Sequence, residues 1–205
     1  MMKKILLFCA LVFLSHSQAS ELEKYKEIVA SNLAEIQAFN HMHWRMNRVS
    51  NNGELILHEA FDPGRSQHWQ LIQINGQQPD SQQLKTYLKK QNVPKDKQNK
   101  SANLEHLIIL DSLKVISQQG DQVTLSFAPQ ISDFSKQDQK KLTGSLLIDT
   151  QQRLLRTLNV HNTDKINPAF SVSFQQFMVN LEFAYQAQQI VLVEQQSYIP
   201  VASEI

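Results

Sequence analysis

The sequence predicts an α+β domain: a curved antiparallel sheet, an incomplete barrel, with helices packed on its concave side. Three observations predict it. An amphipathic helical stripe opens the pattern after residue 19, at Leu22, Tyr25, Ile28, Val29, Leu33 and Ile36. Short segments with period-two alternation then follow one another, separated by turn residues, so one sheet face is wet and the other faces the helices. The alternation over 169–185 also changes phase at Gln175-Gln176, which implies a bulge or tight bend of the kind that curls a sheet. A flat sheet with helices on one side is the plainer alternative.

The first element is an export signal. Met1-Met2-Lys3-Lys4 is followed by an apolar run from Ile5 to Leu14 and then by small and polar residues through Ser20. That run falls short of the roughly 20 apolar residues of a spanning helix, and Ser17 and Ala19 occupy the positions expected before a cut between Ala19 and Ser20. Residues 1–19 are therefore expected to be a secretory signal peptide and 20–205 a single periplasmic domain. The one cysteine, Cys9, would leave with the signal, removing disulfides, cysteine nucleophiles and thiolate metal sites from consideration.

The helix over residues 22–36 gives way near Ala38 to alternation, with Met42, Trp44 and Met46 on one face and His41, His43 and Arg45 on the other. Ser50-Asn51-Asn52-Gly53 signals a turn, and alternation resumes from Glu54 to Phe61. If Asn52-Gly53 is the two-residue turn, Trp44 lies opposite Phe61, Met46 opposite Glu59, Asp62 opposite His43 and His58 opposite Asn47. A slip of two residues preserves these faces; a slip of one inverts them. His68 to Ile74 reads as a third strand ending at Asn75-Gly76. Asp80 then starts a short helix, with Gln83 completing a capping box and Leu84, Tyr87 and Leu88 as the buried face. The polar stretch 91–103, with Pro94, reads as a loop, and Leu104 to Leu110 fits helix or strand. Leu113 to Ser117 and Val123 to Phe127 form a second hairpin around Gln119-Gly120-Asp121, and 132–142 is polar with room for one or two helical turns. Gly144 to Asp149 and Leu154 to Val160 flank a turn at Thr150-Gln151-Gln152, and Ile190 to Val193 supplies a last strand.

The whole chain has 20 basic and 19 acidic residues. Without Lys3 and Lys4 the remainder has 18 basic residues against 19 acidic ones. That balance argues against a nucleic-acid partner, which would require a basic excess. No second apolar run suits a transmembrane segment. Only 5 glycines occur, and no phosphate-cradling loop is formed from them. Ser145 sits in an apparent strand without a Gly-x-Ser-x-Gly elbow. No enzyme activity and no cofactor are expected.

His41 and His43 would share a strand face, as two metal ligands do. No third ligand is fixed by spacing, and the same pattern fits the solvent face of a hairpin, so no metal site is assigned. The basic stretch Lys85, Lys89, Lys90, Lys95, Lys97 and Lys100 fits contact with anionic lipid heads or, more plainly, a solvated helix face and loop. The apolar alternation offers a hydrophobic ligand surface made of Trp44, Phe61, Phe170, Phe174, Phe177, Leu181 and Phe183; the competing reading is core covered by helices.

The early pair 38–61 and the segment Gly144-Ser145-Leu146-Leu147-Ile148-Asp149, followed by Leu154 through Val160, resemble paired strands of the periplasmic lipoprotein-carrier and lipoprotein-receptor superfamily, the half-barrels of LolA and LolB. The resemblance is one of element pattern over most of the region after the signal. It implies an unclosed barrel and a carrier or binding protein for a lipid, lipoprotein or other hydrophobic ligand. The alternative is an envelope interaction or stress-sensing module that binds a protein without a small ligand. A metal-dependent enzyme built on His41 and His43 is the third reading.

Overall fold

The computed structural model describes residues 20–36, 46–52, 54–62, 65, 68–91, 104–131, 134–169, 172–186 and 189–198. Residues 1–19, His41, His43, Trp44, Pro94, Lys95, Lys97, Lys100 and Phe170 lie outside them. Helix α1 covers 20–36 and is followed by strands β1 (Met46–Asn51), β2 (Ile56–Phe61) and β3 (Trp69–Ile74). Helix α2 (Ser81–Gln91), the single turn α3 (Leu104–Leu107) and a 3₁₀ turn at Leu110–Ser112 lead to β4 (Lys114–Gln119) and β5 (Gln122–Phe127). After the short α4 (Lys136–Gln139) come β6 (Leu142–Asp149), β7 (Leu154–Asn162), β8 (Ile166–Ala169), β9 (Val172–Phe174), β10 (Met178–Gln186) and β11 (Gln189–Tyr198).

The molecule is mostly sheet. Nine strands form one unclosed sheet in the order β3-β2-β1-β11-β10-β7-β6-β5-β4, and β8 and β9 form a separate pair. The sheet is mixed, which corrects the expectation of an antiparallel one: β11 runs parallel to β1 and antiparallel to β10. The last strand is also longer than its apolar stretch at Ile190 to Val193. The polar residues Glu194 to Tyr198 continue it because they supply the partners of β1.

Side-chain alternation turns this sheet into two chemically different surfaces. Cross-strand partners place Val115, Leu125, Leu146, Leu158, Leu181, Gln195, Arg48, Glu59 and Leu71 in one row over all nine strands. The four leucines from Leu125 to Leu181 are buried in one core with Tyr25, Ile28, Val29, Leu33 and Ile36 of α1. Burying each such side chain contributes about 1.5–3 kcal/mol relative to exposure. Strand β6 shows the pattern residue by residue, alternating buried and half-buried from Leu142 onward. Gly144 belongs to the buried set because the ring of its cross-strand partner Phe127 occupies the space of a Cβ there.

The neighbouring row runs Gln73, His58, Val49, Gln196, Asn180, Asn159, Ser145, Ser126 and Lys114 on the opposite face. It consists chiefly of amides and hydroxyls, as the wet face of a sheet requires. Since α2 reaches Glu59 through Tyr87, both α1 and α2 attach to the face that carries Leu158 and Glu59.

The first hairpin is displaced by two residues from the expected register. Met46 lies opposite Phe61, Arg48 opposite Glu59, and Val49 opposite His58. The cause is Asn52: its Oδ1 accepts from the N–H groups of Glu54 and Leu55 at 3.1 and 2.7 Å, and its own N–H donates to Leu55 O at 3.2 Å. This side-chain-braced connection replaces a two-residue turn. An even slip keeps every side chain on its face.

Other local expectations are met. The capping box closes with Gln83 N–H donating to Asp80 Oδ1 at 2.8 Å and Asp80 N–H to Gln83 Oε1 at 2.9 Å. On α2, however, Tyr87 is buried whereas Leu84 is 37% exposed. Asn75 and Gly76 have φ of 51° and 77°, as a tight reversal with two left-handed residues demands. The phase change at Gln175-Gln176 separates strands of different sheets: β9 ends at Phe174 and β10 begins at Met178. It is a bend between partners rather than a curl within one strand.

Candidate functional site

Of the apolar residues singled out from the sequence, Phe174, Phe177, Leu181 and Phe183 gather at the α1 core, and Phe61 is buried apart from them. Phe61 is 4% exposed, with its ring 5.2 Å from Trp69 and 5.6 Å from His68. Leu181 and Phe183 are buried in the α1 core, with Phe174 half-buried against it. Phe177 packs edge-on to Phe134 at 5.7 Å. In the cross-sheet row Gln195 and Arg48 intervene between Leu181 and Glu59 of β2. Trp44 and Phe170, the remaining members of that set, lie outside the described residues.

A polar cluster lies on this N-terminal part of the sheet. Arg48 donates through Nε to Glu59 Oε2 at 2.8 Å and through Nη2 to Oε1 at 2.7 Å, and its guanidinium carbon stands 3.9 Å from the Trp69 ring centroid. Tyr87 donates its hydroxyl to Glu59 Oε1 at 2.7 Å. The buried carboxylate thus accepts three hydrogen bonds from two side chains and joins β1, β2 and α2. Fully engaged groups of this kind hold elements together and leave little capacity for a ligand.

An open cleft of about 520 Å³ lies where β1, β11 and β7 end and β10 begins. Val49, Phe177 and Met178 give it apolar surface; Asn51, Gln176, Gln196, Ser197, Tyr198 and His161 bring hydrogen-bonding groups. Pairing of Asn51 with Tyr198, Tyr198 with Met178 and Met178 with His161 sets these side chains on adjacent strands. Met178 is 37% exposed, whereas Phe177 is 8% exposed. Asn162 fixes that edge: its Oδ1 accepts from Phe177 N–H at 2.7 Å while its Nδ2 donates to the carbonyls of Asp164 and Gln175, each at 3.0 Å. His161 Nδ1 is 3.1 Å from Asn159 Oδ1. Among the described residues neither a carboxylate nor a lysine lines the cleft, so they offer a neutral donor–acceptor surface beside apolar contact, a combination typical of recognition sites.

Among the described residues, Phe177 is the one member of the sequence-derived ligand set that lines this cleft. Tyr198, Gln196, Met178 and His161 were not singled out. The first two lie in the polar stretch after Val193, where no apolar alternation marks a strand, and the parallel pairing with β1 makes them neighbours of Val49 and Asn51. Among the described residues no group of three or more His, Cys, Asp or Glu side chains is placed to hold a metal ion. No helix of the described residues is long and apolar enough to cross a membrane. Comparison with protein-family models, curated proteins and solved structures finds no match for this chain.

Proposed function

We propose that the chain is an exported, non-catalytic binding module that takes an uncharged extended polypeptide segment of an envelope partner into the strand-end cleft. The observation that carries this reading is the lining: carboxamides of Asn51, Gln176 and Gln196 and the Tyr198 hydroxyl stand beside Val49, Met178 and Phe177. Carboxamides offer a donor and an acceptor together, matching the peptide group, and the apolar members suit one seated side chain. Export rests on the residue pattern of 1–19. Relationship to the lipoprotein carriers remains part of the proposal at the level of an unclosed sheet.

A lipid-carrier role for the same fold needs vacant apolar volume. Leu181 and Phe183, at 6% and 4% exposure, are packed with the α1 residues, so an acyl chain at that surface would have to displace the helix. The two readings separate in one experiment. A photo-cross-linking residue is introduced at position 178 in the exported protein, with position 114, at the β4 end of the row that holds Asn180, as a control on the same face. The expected result is a discrete polypeptide adduct from 178, lost in Tyr198→Ala and Gln196→Ala variants that melt as the parent does. Co-purified lipid in native mass spectra, with no such adduct, would replace the interaction reading with the carrier.

A further inference from the structure

At the opposite end of β7, β10 and β11 lies a second open cleft, of about 460 Å³, between α1, the β6–β7 turn and the facing ends of β10 and β11. Glu35 and Ser31 come from the helix, Gln152 and Arg153 from the β6–β7 turn, and Tyr185 and Ile190 from β10 and β11. We propose that this cleft binds a small zwitterion bearing an α-ammonium and a carboxylate, a free amino acid or short peptide, with Arg153 and Glu35 as its charged anchors.

Three observations carry the assignment. The first is an uncommon placement of charge. Arg153 has φ of 52°, in the left-handed region, where glycine is the less strained choice. The β4–β5 hairpin meets the same requirement with Gly120 at φ 59°. An arginine kept in such a conformation gains no advantage for the turn from its side chain. That backbone is clamped from α1: buried Asn32 donates Nδ2 to Arg153 O at 3.0 Å, and its Oδ1 accepts from Leu155 N–H at 2.6 Å.

The second observation is open bonding capacity. Arg153 is exposed and makes no ion pair among the described residues, leaving a planar fork suited to a carboxylate. Its neighbour Gln152 already receives Arg156 Nη2 at 2.6 Å. Tyr185, 58% exposed, adds a hydroxyl to the same wall. The third is the opposing acid. Glu35 accepts Ile190 N–H at one oxygen, Oε1, at 2.8 Å, and it makes no ion pair among the described residues. A cation and an anion that line one cleft without pairing to each other suit a ligand carrying both complementary charges.

The test uses L-alanyl-L-alanine and amide-detected NMR of the full protein. Saturable shifts are expected at Ile190 and Leu155, the amides held by Glu35 and Asn32. Arg153→Gly removes the guanidinium while relaxing the backbone, and Glu35→Gln keeps an acceptor for Ile190 N–H while removing the charge. Each should weaken the dipeptide about tenfold or more, the scale of a lost charged hydrogen bond, with denaturation midpoints no lower than the parent's for Arg153→Gly. N-acetyl-alanine and alaninamide, each carrying one of the two charges, should bind more weakly than the dipeptide. Absence of saturable shifts, or shifts unchanged by both substitutions, overturns the site; equal binding of N-acetyl-alanine and dipeptide overturns the zwitterion. Capture at position 178 should be indifferent to either substitution, which keeps this cleft distinct from the proposed partner site.

Discussion

Gly144 shows how a single position is dictated by what faces it. The Phe127 ring covers its Cα from the adjacent strand, so Gly144→Ala forces overpacking that costs about 1–3 kcal/mol. Urea denaturation should show that loss in the single variant and recovery of part of it when Phe127→Leu is added. Asp138 illustrates a different constraint. Burial opposes its ionisation, yet the Ser135 hydroxyl at 2.8 Å, the Asn167 amide at 3.1 Å and the Lys141 ammonium at 3.5 Å hold its carboxyl below the ordinary range. A lowered folded value means stability that is present above the unfolded value of about 3.9 and lost as pH falls through the folded one. The stability gap between the parent and Asp138→Asn should therefore be full near neutrality and close in acid, as read from denaturation midpoints across that range. Neither environment was legible beforehand. Period-two alternation assigned Gly144 to a strand, but the ring above it comes from a pairing partner, and Asp138 sat in a polar stretch read as having room for one or two helical turns, with no partner indicated for its carboxylate.

At the scale of elements, local chemistry was legible and long-range chemistry was not. The capping box of α2, the Asn75-Gly76 reversal and the β4–β5 and β6–β7 hairpins follow from residues a few positions apart, and they stand where the sequence put them. The first hairpin kept its faces but not its register, because the Asn52 side chain can brace a longer connection than the turn dipeptide suggests. The sequence placed Tyr87 on the buried face of α2 but hid what it meets, since Arg48, Glu59, Trp69 and Tyr87 are brought together only by packing. Removing one partner of such a pair strands the other: Arg48→Ala leaves Glu59, at 4% exposure, with Tyr87 as its remaining side-chain donor. A cost of about 3 kcal/mol is expected, whereas Arg48→Met with Glu59→Leu should lie near the parent. Chemical denaturation gives the totals, and faster amide exchange in α2 for the single variant alone would identify the clamp.

For the whole molecule the decisive feature is the parallel seam. The meander β3-β2-β1 joins the other strands of its sheet through β11, whose residues Glu194 to Tyr198 face Asn47 to Asn51. Truncation after Val193 removes every one of those partners. Hydrogen exchange should then rise across β1, β2 and β3 while β5, β6 and β7, which pair among themselves and bury the α1 core, stay protected; uniform loss of protection would show that the sheet melts as one unit. Alternation could not disclose this seam, because it joins the two ends of the described sheet chain and polar residues form both sides of it. The same arrangement sets an order of assembly. Contacts between distant segments carry a large closure entropy and form late, so the first-made strands must wait, undocked, until residue 198 has been synthesised. A chain that stops before Glu194 would therefore keep its α1 core yet carry β1, β2 and β3 unmoored, and quality control could tell it from the finished product by that alone.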